Sequence, residues 1–153
     1  MVIFYEVKQV KGTDPVFFEY SKKLEDFQFN LMPVLKEKGY SLTDNLDEIT
    51  GFILHINDEP VGSIGLKKID ETTCEIVRVF IDENSRGYGH ARLLFERAEN
   101  HAKKLGYKKV EMVAWCKAKS ALALYKKLGY NFSEEKESEW FAGLQYVELS
   151  KDL

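Results

Sequence analysis

The sequence predicts an α/β fold: a single mixed, mostly antiparallel twisted sheet of about six or seven strands, flanked by helices. Three observations predict it. Apolar runs joined by tight polar connections cluster between residues 51 and 81, the pattern of an antiparallel meander. Two segments with helical periodicity follow, separated by another apolar run over 108–115. Strand 73–81, the first of these helices and strand 108–115 make a crossover unit, which puts a parallel pair inside the sheet.

Each element has its own signal. Residues 2–10 read as a first strand. Thr13-Asp14-Pro15 is a helix start, with Asp14 as cap and Pro15 at the first helical position. Phe17, Tyr20, Leu24, Phe27 and Leu31 then recur at spacings of three and four, giving one face that is mostly core. Pro33 splits this helix and Gly39 ends its second part. Residues 51–57 form a strand, Asp58-Glu59-Pro60 turns the chain, 61–69 returns, and Asp70-Glu71-Thr72 turns it again into 73–81. A polar loop, 82–85, leads to Arg86-Gly87-Tyr88-Gly89. The helix after it carries Ala91, Leu94, Phe95, Ala98, Ala102 and Leu105 on one face, and Gly106 closes it. After strand 108–115, a helix over about 120–128 presents Ala121, Leu124, Tyr125 and Leu128. Ser120 is its candidate cap, Lys126 and Lys127 fill its last turn, and Gly129 ends it. A strand over 145–149 finishes the sheet.

Composition limits the function classes. A chain of 153 residues fits one domain, taken as 1–153, with one sizeable core. The apolar share of 44% and charged share of 31% are ordinary for a soluble globular protein. No stretch approaches the roughly 18–20 apolar residues of a membrane span, and the N-terminus lacks the pattern of a signal peptide. No membrane partner is expected, and the expected location is cytoplasmic. Cys74 and Cys116 show neither a CxxC pair nor metal-ligand spacing. No metal is expected, and the expected state is two free thiols in or near the core. Residues 86–130 carry eleven Lys and Arg against three Glu, a balance of +8, which leaves −11 for the rest of a chain of net charge −3. This reads either as segregated solvated faces or as an anion-binding half facing an acidic half. A pI near 5.7 and the lack of a basic run interleaved with aromatics argue against a nucleic-acid partner.

The stretch that carries chemistry is Arg86-Gly87-Tyr88-Gly89-His90-Ala91, between a strand and a helix. A turn without bulky side chains lets successive backbone N–H groups converge, and a helix N-terminus adds partial positive charge, so phosphate oxygens find a cradle there. Arg86 adds a full charge. The P-loop pattern is not met, since no Lys-Ser or Lys-Thr follows. The dinucleotide pattern fails at Arg92, and three antiparallel strands precede the loop where a doubly wound fold has none.

Arg86-x-x-Gly89-x-Ala91 resembles the Arg/Gln-x-x-Gly-x-Gly/Ala signature of the GNAT superfamily of N-acetyltransferases. Ile81 to Gly87 resembles that family's strand-four ending and loop. Ala121-Leu-Ala-Leu-Tyr125-Lys-Lys-Leu-Gly129-Tyr130 resembles its second hallmark helix, so two motifs stand in register across 73–130. The resemblance implies the acyl-CoA N-acyltransferase fold and an enzyme that uses acetyl-CoA as cosubstrate. The reaction implied is direct attack by a primary amine of a small molecule, peptide or protein. Backbone N–H groups of Arg86, Gly87, Tyr88, Gly89, His90 and Ala91 are then expected to hold the CoA pyrophosphate. Pantetheine is expected between splayed strands, against Val79, Phe80 and Ile81, with the Val79 N–H polarising the thioester carbonyl. Tyr125 matches the tyrosine that protonates the departing thiolate.

Glu75 is the candidate general base, direct or through water. Strand alternation sets it on one face with Val77, Val79 and Ile81, and its position resembles that of the base in the histone-acetylating branch. Arg78 is expected to point the other way, in a structural or substrate-side role. The His90 ring is expected in solvent, with only its N–H in the cradle. Phe27 and Phe29 are candidates for lining the acceptor site, and Lys117 and Lys119 are either contacts to the 3′-phosphate or solvated. Where the family often has Asn, seven residues before the tyrosine, this chain has Ala118, so a side-chain contact to the cofactor is expected to be missing. The alternative reading is a catalytically decayed acyl-CoA-binding sensor. Oligomeric state is open, a homodimer being one option.

Overall fold

The apolar runs pair into one sheet in the computed structural model, which describes residues 2–153. Its strands are β1 (Tyr5–Lys11), β2 (Ile49–Ile56), β3 (Glu59–Lys68), β4 (Thr73–Ile81), β5 (Lys109–Trp115), the two-residue β6 (Asn131–Phe132) and β7 (Lys136–Glu137), and β8 (Gln145–Asp152). The order is β1-β2-β3-β4-β5-β8-β6, with β7 also on β8. All pairs are antiparallel except β4–β5, the crossover pair expected from the strand–helix–strand order.

The helices are α1 (Pro15–Leu31), α2 (Pro33–Glu37), α3 (His90–Lys104) and α4 (Lys119–Lys127). Asp14 caps α1, accepting from the N–H groups of Val16 and Phe17 at 2.9 and 3.4 Å. Helices α3 and α4 cover one sheet face, where Leu94, Phe95, Ala98 and Leu128 pack on Phe52, Ile64 and Met112. Helix α1 covers the other, with Phe17 and Tyr20 on Ile49 and Ile53. Phe17 sits tight on the strands because Gly51 and Gly65 leave room. A Cβ on either would come within 2.5 and 3.0 Å of its ring.

Several local expectations are corrected. The first strand begins at Tyr5, because β2 ends at its partner Ile56 and offers Val2 to Phe4 no further ladder. The first hairpin turns on Asn57-Asp58, both left-handed (φ 49° and 70°), and Glu59 and Pro60 already belong to β3. Asn and Asp tolerate that backbone, and a two-residue turn with positive φ at both positions matches strand twist. Ala118, with no side-chain bond, caps α4, and Ser120 lies inside it. Leu105 falls at the C-cap of α3 and is 63% exposed.

One irregularity positions everything that follows. In β3–β4, Ser63 pairs with Phe80 while Gly65 pairs with Val77, so two residues of β4 oppose one of β3. Arg78 is the residue turned left-handed, with φ 55°. The buried Ser63 hydroxyl donates to the Arg78 carbonyl at 2.8 Å and holds the bulge. On the other side β4 pairs with β5 over three residues only, ending at Glu75–Glu111. Beyond that β5 stays with β8 as far as Trp115, and β4 stays with β3 to Ile81, so the two strands part.

Candidate active site

The gap between β4 and β5 is a cleft of about 670 Å³. Val79, Phe80 and Ile81 line one wall, Ala114 and Trp115 the other. The turn 86–91 closes one end, Tyr125 of α4 stands on the α3 side, and Phe27, Gln28, Tyr40 and Leu42 reach in from the α1–α2 side. Of the sequence-selected residues, Glu75, Arg86, Gly87, Gly89, His90, Ala91 and Tyr125 also line it; Tyr88 does not, and is 73% exposed.

The bulge corrects the facing of β4. Ile76, Val79 and Ile81 pack in the α3-side core, whereas Val77 and Phe80 pack with Phe17 and Tyr20 under α1. Glu75 therefore shares a face with Val77 and Phe80, not with Val79 and Ile81. An extra residue reverses the alternation after Val77, which a period-two reading cannot anticipate. Arg78 is corrected for the same reason: it turns toward the α1–α2 side of the cleft, where its Nε donates to the Leu42 carbonyl at 2.8 Å.

Glu75 sits where the strands part. Burial pushes its carboxyl above the ordinary range, against the opposing charges of Lys67 and Arg78 and with the help of Glu111. It also lines a second groove of about 480 Å³, with Lys109, Glu111 and Ser150, that gives it a route to solvent. Tyr125 is 8% exposed, its ring 5.8 Å from that of Phe95. Burial pushes its phenol up to about 12.

In the turn, Gly87 and Gly89 are left-handed (φ 86° and 79°), and a Cβ on either would meet no heavy atom within 4 Å. Packing does not demand these glycines; the backbone does, and it leaves open space above the peptide. Among the described residues, the N–H groups of Gly87, Tyr88 and Gly89 have no protein acceptor. The His90 ring is not in solvent, as the sequence reading had it. The residue is 7% exposed, lies between Tyr5 and Tyr88, and its Nδ1–H donates to the Ser85 carbonyl at 2.7 Å. Arg86 folds back: Nε donates to the Ile81 carbonyl at 2.8 Å, and the guanidinium stacks over Phe80 and Phe27 at 5.2 and 5.8 Å.

Sequence reasoning missed Gln28, Tyr40, Leu42 and Trp115. Tyr40 and Trp115 meet edge to face, and Phe141 contacts both, at 5.6 and 5.9 Å. Glycines within β3 were a usable signal for the bulge. Nothing local marks residues 28 and 40 as neighbours of β4. Cys74 and Cys116 are free and buried, and among the described residues no three His, Cys, Asp or Glu gather as a metal site would require. Nor is any helix there long and apolar enough to cross a membrane.

Comparison with known proteins agrees with this architecture. An uncharacterised N-acetyltransferase of Methanocaldococcus jannaschii is 29% identical over 136 residues, covering 85% of this chain. The chain spans 54% of that relative's length. Among solved structures, the PaiA N-acetyltransferase of Thermoplasma acidophilum in complex with coenzyme A superposes with a TM-score of 0.75, at 16% identity over 100% of both chains. A GNAT family acetyltransferase of Elizabethkingia anophelis with acetyl-CoA bound gives 0.71, at 18% identity over 97% of this chain and 98% of that one. These two show the shared fold. A sequence model of the acetyltransferase (GNAT) family matches residues 17–130, most of the chain, and the chain therefore belongs to the GNAT acetyltransferase family.

Proposed function

We propose that residues 1–153 form one acetyltransferase domain that moves the acetyl group of acetyl-CoA to a primary amine by direct attack. The observation that carries this is the turn 86–91. Its unpartnered N–H groups and open left-handed glycines stand at the N-terminus of α3 and open into the cleft between the parted strands. That fits a diphosphate at the turn and a pantetheine arm along Val79, Phe80 and Ile81. The neighbours of the same fold hold acetyl-CoA or coenzyme A.

In this reading the amine nitrogen attacks the thioester carbon, an N–C bond forms and the C–S bond breaks. A β4 amide, that of Val79, donates to the carbonyl oxygen as it becomes an oxyanion. The attacking amine must be neutral, and Glu75, with its raised affinity for protons, accepts the proton directly or through water and releases it along the second groove. Tyr125 faces the leaving sulfur. A phenol near 12 is a weaker acid than an ordinary thiol near 8.5. Its favourable contribution is thus a hydrogen bond to the developing thiolate, with full transfer following only as the thiolate gains basicity in the apolar cleft. Most of the acceleration comes from holding both substrates in one cleft.

The test is incubation with acetyl-CoA and a mixed library of amines and peptides, read by mass spectrometry for acetylated products and by release of free thiol. Acetylated amine is the expected result. Tight acetyl-CoA binding without turnover on any amine overturns the enzymatic reading in favour of a sensor.

A further inference from the structure

Arg78 is an expensive residue where it stands. A non-glycine residue at positive φ costs about 1–2 kcal/mol, and a half-buried guanidinium needs acceptors. Among the described residues only one of its five N–H donors has a protein partner, the Leu42 carbonyl. Among the described residues no carboxylate lies within 4 Å of it. Glu25, the buried acid of that region, is already taken by Lys22 at 2.9 Å and the Leu42 N–H at 2.8 Å. The remaining guanidinium donors therefore belong to the cleft that Arg78 lines.

A second unpaired group lines the same cleft. The Gln28 side-chain oxygen is buried and has no hydrogen-bond partner among the described residues. The rings of Tyr40 and Trp115 line the same cleft, and Glu75 lies three residues before Arg78, where the bulge turns. A planar donor fork matches a carboxylate. A lone amide oxygen matches an N–H. Aromatic walls match a carbon skeleton.

We propose that the acceptor is an amine that itself carries a carboxylate, an amino-acid-like zwitterion: Arg78 takes the carboxylate, Gln28 Oε1 takes an N–H of the amine, and Tyr40 and Trp115 flank the side chain. This rests on the acetyl-transfer reading above. It narrows the acceptor to one chemical class and gives the strained bulge a purpose, since the left-handed turn at residue 78 aims the guanidinium into the cleft.

The experiment uses matched sets with the full chain and acetyl-CoA: the standard amino acids and β- and γ-amino acids, each beside its amide and its decarboxylated amine. Free-thiol release gives KM and kcat separately. At least one carboxylated member is expected to exceed its amide and amine by about ten-fold or more in kcat/KM. Arg78→Gln is expected to raise the acceptor KM by about 10- to 100-fold. It should leave the KM for acetyl-CoA unchanged and erase the preference over the amide; Arg78→Lys should restore part of it. Gln28→Met is expected to raise the acceptor KM in carboxylated and amide forms alike. If Arg78→Gln fails to fold, seen as a lost thermal transition, the wild-type matched sets decide alone. Equal or better turnover of the decarboxylated amines overturns the inference while acetyl transfer stands. So does an Arg78→Gln effect on acetyl-CoA in place of the acceptor. Acetyl-CoA binding with no turnover of any member overturns the inference, and overturns acetyl transfer as well when the mixed amine and peptide library is also left unacetylated.

Discussion

The proposed reaction assigns Tyr125 and Glu75 opposite duties on opposite sides of the cleft, and burial is the main cause of the shift in both. Burial keeps a phenol protonated and makes a carboxylate more basic. Tyr125→Phe is expected to lower kcat by about 10- to 100-fold while acetyl-CoA affinity barely changes; steady-state kinetics with a binding titration checks it. The reverse pattern would make Tyr125 a packing residue. For Glu75 the sign is fixed by its raised pKa. Activity should rise with pH along a limb lying above the ordinary carboxylate range, because the base must lose its proton to work. Glu75→Gln is expected to abolish that limb and cost about 100-fold in kcat/KM, read from a pH profile over 4–9. Both residues were chosen from the sequence, and the facing of Tyr125 with Ala121, Leu124 and Leu128 was legible there, but that of Glu75 was not. Alternation put Glu75 beside Val79, and the bulge at Arg78 parts them.

At the scale of elements, the site depends on a turn and a bulge. Gly89 stands at φ 79° as the N-cap of α3. Gly89→Val puts a β-branched side chain into a backbone it resists and into the space proposed for the diphosphate. The variant is expected to stay folded, since nothing crowds that position, and to lose acetyl-CoA binding by calorimetry. The bulge relies on the Ser63 hydroxyl on the Arg78 carbonyl. Ser63→Ala leaves a buried carbonyl short of a partner. It is expected to cost about 1–2 kcal/mol, a drop of about 2–8 °C in melting temperature, and to weaken the acceptor more than the cofactor. The turn was legible because Arg86-Gly87-Tyr88-Gly89 is local chemistry. The bulge was not, because its signal lies on another strand, in Gly62 and Gly65 of β3.

Across the whole molecule, Glu25 ties α1 to the segment after α2 by accepting from the Leu42 N–H, and the Leu42 carbonyl in turn accepts from Arg78 of β4. Burial pushes the Glu25 carboxyl up, but the Leu42 N–H and Lys22 more than offset this and hold it below its ordinary value. A depressed folded pKa means stability that is present above the unfolded pKa and lost as pH falls through the folded one. Melting temperature is therefore expected to decline as pH drops below about 4.5, the ordinary carboxylate range. Glu25→Gln should be less stable by about 3–10 °C at pH 7 and show a shallower acid decline, measured by thermal denaturation across pH.

By itself the sequence determined the order of elements, the parallel crossover pair, the glycine turn at 86–91 and the helix bearing Tyr125. Each of these rests on residues within a few positions of one another, where periodicity, capping and glycine act. The tertiary structure alone decided which way Glu75 and Arg78 face and that Arg86 folds onto Phe80. It also decided that Gln28, Tyr40 and Trp115 share one cleft with them. Those facts depend on a one-residue slip between neighbouring strands and on side chains brought together from α1, the segment after α2, β4 and β5. Hydrogen-bond register and long-range packing, not local pattern, set them.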